Sequence, residues 1–105
     1  MATPFQEKVY ETLRRVPRGK VTTYLLLGKA IHCNSARAIG QAMRCNPYAP
    51  QVPCHRVVAS DGSIGGFMGK TSGKEITRKI GLLKKEGVHV KNGAVSDFRE
   101  KRYTF

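Results

Sequence analysis

The chain changes texture at Asn46-Pro47, and this limits it to a helical front half followed by a turn-rich back half. Before that point, helix start signals recur. Thr3-Pro4-Phe5-Gln6 has the form of a capping box with proline at the first helical position. Phe5, Val9, Leu13 and Val16 follow at helical spacing, so an amphipathic helix is expected from residue 4 to about 15, stopped by Pro17-Arg18-Gly19-Lys20. A second helix is expected behind Thr22, carrying Leu25, Leu26 and Ala30; His32-Cys33-Asn34 then turns the chain, and Ser35 caps a third helix through about Cys45. Two short helices across a tight turn have the outline of a helix-turn-helix, although many small α-rich domains contain such a pair.

Beyond Asn46-Pro47 the chain is rich in Pro, Gly and short β-branched runs. Arg56-Val57-Val58 reads as a strand and Ser60-Asp61-Gly62-Ser63 as a turn that folds a small wing. Ser72-Gly73-Lys74-Glu75 reads as a second capping box, opening a helix with Ile76, Ile80 and Leu83 on one face and Gly87 at its end. Residues 88–95 read as a hairpin around Asn92-Gly93, with Tyr103 and Phe105 packing the basic tail back. There is no repeat, low-complexity tract or linker. The expected fold is α-dominated with small β elements, a winged helix-turn-helix-like single domain over residues 1–105, since that length makes one compact core and not two.

Charge bears on the partner. Nineteen Lys and Arg against seven Asp and Glu give a net charge of +12. On so small a body that field points to a polyanion, and nucleic acid is the first expectation ahead of a merely solvated basic surface. No membrane association is expected: the longest apolar run, Tyr24 to Leu27, is far short of a span, and no basic amphipathic helix carries bulky Trp or Phe. No secretory signal opens the chain, and three cysteines is an odd count, so a reducing compartment, cytoplasmic (nucleoid-associated) or nuclear, is expected, with the protein a monomer.

Two segments carry the chemical interest. The third helix is unusually bare, with Ala36, Ala38, Gly40 and Ala42, while Arg37, Gln41 and Arg44 lie along another face. Small residues allow close approach either to a neighbouring helix or to a DNA groove, and both readings stand, with the arginines favouring DNA. The second segment is Pro53-Cys54-His55-Arg56-Val57. A cysteine becomes a strong nucleophile when a nearby base or cation stabilises its thiolate. In an extended segment neighbours point to opposite sides, so one bridging water would relay a proton between Cys54 and His55. The rival readings are an inert buried cysteine and a metal site built from Cys33, Cys45, Cys54, His32 and His55. The spacing has no C-x₂₋₄-C pair, so no metal and no cofactor are expected, and Cys33 and Cys45 read as packing residues.

Several of these pieces in this order resemble the O6-alkylguanine-DNA alkyltransferases, the methylated-DNA–protein-cysteine methyltransferases. The matching text is residues 19–24, 36–47 and 53–58, followed by Gly65-Gly66-Phe67 and residues 79–87. The similarity is to that family's active, DNA-binding C-terminal domain, with its usual N-terminal domain missing. It implies an irreversible transfer of the alkyl group from guanine O6 in double-stranded DNA, reached from the minor groove, to Cys54. It further implies that His55 acts as base through a water, Glu86 orients and charge-balances His55, and Asn46 braces the turn presenting Cys54. Arg37 would enter the duplex in place of the extruded base, and Tyr24 would help rotate the nucleotide out. Ala36, Gly40 and Arg44 would complete the DNA-contacting helix, while Met43, the Val57 backbone, Phe67 and Met68 would line the pocket. Met68 departs from the serine common in the family.

Two rivals remain. The chain's size also resembles the alkyltransferase-like proteins, non-catalytic sensors that bind alkylated DNA and recruit other factors, but those have Trp where this chain has Cys54. A winged-helix transcription factor would read sequence with bulky polar side chains, and the bare third helix opposes that.

Overall fold

The computed structural model describes residues 3–48, 51–64 and 73–105. Helix α1 spans Pro4–Leu13, and Thr3 and Gln6 form the reciprocal capping box, at 3.1 and 3.0 Å. The helix stops two residues short of expectation; Arg15 and Val16 continue as single tight turns. Its inward face is Val9, Leu13 and, unexpectedly, Tyr10, whose hydroxyl donates to the Ala42 carbonyl at 2.6 Å.

Strand β1 (Thr22–Thr23) runs directly into helix α2 (Tyr24–Ala30), which is capped by Thr23 and not by Thr22. The shift by one residue re-aims the helix. Leu27 and Gly28 face inward, whereas Leu25, expected on the packed face, is exposed. The α2 C-terminus is a Schellman motif: Cys33 N–H donates to Gly28 O at 2.8 Å and His32 N–H to Lys29 O at 3.3 Å. His32 takes the left-handed position, φ 56°, where glycine is usual. Helix α3 (Ala36–Arg44) starts where Ser35 accepts from Ala38 N–H and packs Ile39, Ala42 and Met43 inward.

The strand expected over Arg56-Val57-Val58 forms at its last two residues only. Cys54–Arg56 forms a single 3₁₀ turn, and only Val57–Val58 (β2) is extended. Strand β2 pairs in parallel with β1, Thr22 opposite Val57 and Thr23 opposite Val58. Because alternate strand residues face opposite sides, Val57 joins a core of α1, α2 and α3 side chains, and Val58 joins a second core with Val21, Leu83, Val88 and Val95.

Helix α4 (Lys74–Lys85) begins at Gly73, φ 84°, with no side-chain cap; the expected cap residue Ser72 lies outside the described residues. It ends in another Schellman motif, Val88 N–H to Leu83 O and Gly87 N–H to Lys84 O, which leaves Glu86 at the C-cap. The hairpin β3 (Val90–Lys91) and β4 (Ala94–Val95) turns through Asn92 and Gly93, both at positive φ as a type I′ turn requires. A short helix α5 (Phe98–Lys101), which no sequence signal announced, precedes a tail pinned by Tyr103 N–H to Val21 O. No helix among the described residues is long and apolar enough to cross a membrane.

Two glycines separate packing from access. A Cβ on Gly28 would lie 2.6 Å from the Cys33 carbonyl oxygen and 3.2 Å from Ile39 Cδ1, so the α2–α3 turn closes only over a bare position. A Cβ on Gly40 would meet nothing within 4 Å. Gly28→Ala is therefore expected to destabilise by about 1–3 kcal/mol. Gly40→Ala is expected to stabilise by about 0.5–1 kcal/mol through helix propensity. Thermal unfolding of both variants checks the opposite signs.

Candidate active site and nucleic-acid interface

Cys54 opens the 3₁₀ turn and is buried in the helical core with Met43, Val52 and Val57. It is presented by a turn that Asn46 braces: its amide donates to Val52 O at 3.1 Å, and its oxygen accepts from Tyr48 N–H at 2.9 Å. Burial pushes the Cys54 thiol up; a hydrogen bond from Asn46 and the positive charges of Lys79 and Arg78 oppose this only in part. The resting group is thus a neutral thiol and not the preformed thiolate that an activated nucleophile suggests.

His55 is almost fully buried, and its Nε2 meets both carboxylate oxygens of Glu86, at 3.1 and 3.2 Å. Donation from Nε2 leaves Nδ1 unprotonated and able to accept. Burial lowers the His55 pKa, and the charges of Arg56 and Lys79 add to this against the favourable pull of Glu86. Burial alone would raise the Glu86 carboxyl, but hydrogen bonds from Arg56 and His55 outweigh it and hold the group below its ordinary value. At neutral pH the site therefore rests as thiol, imidazole and carboxylate.

The local sequence explains this convergence. The α4 Schellman motif sets Glu86 at the helix end, where Arg18 donates to Lys85 O at 2.8 Å. A Cβ on Gly19 would come within 3.3 Å of Glu86 O, so the loop after α1 lies directly against this end. Tyr24, first residue of α2, is carried by the β1–β2 pairing to the Cys54 side. Its hydroxyl is held in the protonated form by burial and by proximity to Cys54. A cleft of about 290 Å³ opens beside it, lined by Leu25, Lys29, Cys33, Asn34, Ile39 and Ser60.

Helix α3 divides by face. Arg37, Gln41 and Arg44 are exposed and Gly40 half-exposed at i, i+3, i+4 and i+7, while Ile39, Ala42 and Met43 are buried. The packing reading of the bare helix holds for Ala42, while Gly40 has no packing reason. Ala36 begins the helix. Val57 is buried, and its carbonyl accepts from Lys79 at 2.7 Å. Phe67 and Met68, expected in the pocket, lie outside the described residues, as do Gly65 and Gly66. Cys33 is half-buried, but Cys45, expected in packing, is exposed at the end of α3. Among the described residues no three of His, Cys, Asp and Glu gather as metal ligands would.

Sequence reasoning missed Lys79. It occupies the inward face of α4 between Ile76 and Leu83, is fully buried, and donates to Val57 O and to Ile64 O at 2.6 Å. Burial lowers its pKa to about 8, with Cys54 pulling the other way. Helical spacing marked that position as inward, and only its residue type disguised it.

The family model described as "6-O-methylguanine DNA methyltransferase, DNA binding domain" matches residues 4–88. The methylated-DNA–protein-cysteine methyltransferase of Thermococcus sibiricus is 51% identical over 87 residues, covering 82% of this chain and 46% of that protein. The chain thus spans about half the length of such relatives. Mycobacterium tuberculosis OGT, solved in complex with DNA, is 37% identical with a TM-score of 0.72, over 82% of this chain and 51% of that one. S. pombe Atl1, solved with damaged DNA containing O6-carboxymethylguanine, is 29% identical with a TM-score of 0.83, over 100% of both chains.

The Lys79 position gives a stability test. Between about pH 8 and the ordinary lysine value, the unfolded chain binds a proton that the folded chain does not, so stability contributed through Lys79 rises with pH in that window. The gain totals about 3 kcal/mol. Urea midpoints from pH 7 to 10.5 should climb for the wild type relative to Lys79→Met, the difference between the two removing the tyrosine titrations both share.

Proposed function

The chain belongs to the 6-O-methylguanine DNA methyltransferase family, and from that premise we propose that it repairs DNA by transferring the alkyl group of O6-alkylguanine to Cys54. The observation that carries the reading is the buried Cys54 thiol next in sequence to a buried histidine whose Nε2 is held by a carboxylate. The chain then corresponds to the C-terminal, active-site part of the longer relatives, acting as one domain over residues 1–105.

Guanine O6 is inside the base stack, so the nucleotide must be extruded before sulfur can reach it. The exposed face of α3 is suited to this: Gly40 lets the backbone approach the minor groove, Arg44 and Gln41 meet phosphates, and Arg37 fills the space the base leaves. Ala36 and Met43, on the same helix, belong to the approach and to the pocket wall. Tyr24, kept protonated, donates to the extruded base, and the Val57 backbone helps enclose it.

The chemical step balances without a cofactor. The Cys54 proton passes through water to His55 Nδ1, and sulfur forms a bond to the alkyl carbon. The carbon–O6 bond breaks with its electron pair going to guanine, which then takes up a proton. Glu86 stabilises the transient imidazolium, much as a carboxylate steers the histidine of a catalytic triad. The product thioether is stable, so each molecule reacts once.

A second reading is favoured by one observation, the end-to-end likeness to Atl1: this chain would bind alkylated DNA as a sensor without reacting. Intact-mass measurement after incubation with a duplex containing O6-methylguanine separates the two. One added methyl group, mapped to Cys54 and lost in Cys54→Ser with lesion binding retained, is the expected result. Lesion binding with no mass gain would establish the sensor, and a methyl on Cys33 or Cys45 would overturn the assignment.

Arg37→Ala is expected to slow repair of duplex DNA by roughly tenfold or more relative to its effect on free O6-benzylguanine, which needs no extrusion. Single-turnover rates on both substrates test this, equal losses counting against Arg37. Gly40→Ala should weaken duplex binding while leaving the fold at least as stable, as gel-shift titration beside thermal melts would show.

A further inference from the structure

We propose that Arg56 is a positioning residue that keeps the His55–Glu86 pair free of a stored proton by holding both carboxylate oxygens of Glu86. This rests on the alkyl-transfer reading, and it assigns a role to a side chain that the transfer step itself does not use.

The geometry is a fork. Arg56 Nε donates to Glu86 Oε1 at 2.9 Å and a terminal nitrogen to Oε2 at 2.7 Å, with the other terminal nitrogen on Val16 O at 2.8 Å. The two side chains are only 15% and 9% exposed, so the pair is largely withdrawn from water. One guanidinium thus ties the stretch after α1, the 3₁₀ turn and the end of α4. The same two oxygens also accept from His55 Nε2. Glu86 sits at a helix C-cap, where the backbone dipole disfavours an anion, so its charge needs a cation close by.

Two groups compete to be that cation. Arg56 is always charged, whereas His55 is charged only if it gains a proton. With Arg56 in the fork, the carboxylate is already neutralised, and a proton on His55 would add an unbalanced positive charge in a buried site. Of the other groups, Lys79 of α4 also disfavours a proton on His55; Lys79 and Arg78 favour the thiolate of Cys54 but are outweighed there by burial, and Tyr24 of α2 is neutral. Without Arg56, a buried carboxylate would be left uncompensated, and the cheapest remedy is proton uptake by the His55–Glu86 pair. Cys54, next to His55 in sequence, can supply that proton. The fork therefore keeps the cysteine a thiol at rest, and the proton moves only when the leaving guanine can take it up again. A thiol at rest is also a poor target for stray electrophiles and oxidants.

Two variants separate charge from geometry. Arg56→Gln keeps a donor for Glu86 but removes the charge; Arg56→Lys keeps a charge but removes the fork. Three readouts apply to the full chain: NMR titration of the His55 ring, the rate of Cys54 modification by iodoacetamide at each pH read by peptide mass, and single-turnover transfer from O6-benzylguanine. In Arg56→Gln, the apparent pKa reported by His55 should rise by about one unit or more, with severalfold faster iodoacetamide reaction near neutral pH. In Arg56→Lys, the titration should stay within about 0.3 units of wild type, while transfer slows roughly threefold or more as the carboxylate loosens. A folded glutamine variant whose His55 titrates as in wild type overturns the proposal. Should that variant not fold, the lysine variant decides: an unshifted titration with slower transfer supports it, and a shifted titration or unchanged transfer overturns it. A wild-type chain that takes no alkyl group would end the transfer reading alone, because the titration still reports what Arg56 does to the pair.

Discussion

Two residues of parallel ladder, Thr22-Thr23 against Val57-Val58, join a three-helix half to a wing half, and a joint this short must be reinforced from both sides. On one side, Val57 packs into the helical core with Cys54; on the other, Val58 packs with Val21 and Leu83. Lys79 donates to the Val57 carbonyl along the ladder itself, and Tyr103 binds the residue just ahead of β1. The ladder is what brings Tyr24, at the start of α2, level with the turn that carries Cys54. A change that loosened it would separate the face suited to DNA from the sulfur without touching either.

The reinforcement is ionic to an unusual degree for a domain of this size. His55, Arg56, Lys79 and Glu86 are wholly or largely withdrawn from water, in a chain that has little apolar surface to offset them. Buried ions are weak evidence for stability, since well-packed apolar residues often do better. Their presence is better explained by what they control: the protonation of one thiol, one imidazole and one carboxylate. Stability and chemistry therefore draw on the same side chains here, and the pH dependence of one should echo the other.

Much of the architecture was legible because it is local. Thr3 with Gln6, Ser35 before α3, and Asn92-Gly93 in the hairpin each state their structure within four residues. Where signals compete, the reading slips: Thr22 and Thr23 are equally good caps, and only the β1–β2 pairing decides between them. Arg56 reads as strand together with Val57-Val58, yet Pro53 and the Asn46-braced turn coil Cys54–Arg56 into one 3₁₀ turn. Lys79 was hidden because lysine on an amphipathic helix is normally a solvent residue. The meeting of Glu86 with His55 came from family resemblance alone, since no local rule brings residues that far apart in sequence together. Arg56 was hidden for the same reason.

Helix α3 connects the two surfaces that the proposed function would use. Its outer face carries Arg37, Gly40, Gln41 and Arg44, and its inner face places Met43 in the core that holds Cys54 and accepts the Tyr10 hydrogen bond at Ala42. The helix then runs through Cys45 into Asn46, whose amide both braces the following turn and reaches the Cys54 sulfur. The outer face and the nucleophile are thus connected through close-packed side chains and one asparagine. Under the proposed function the duplex lies on the outer face and the extruded base on the Cys54 side, and glycine at position 40 leaves the outer backbone bare where the two meet most closely.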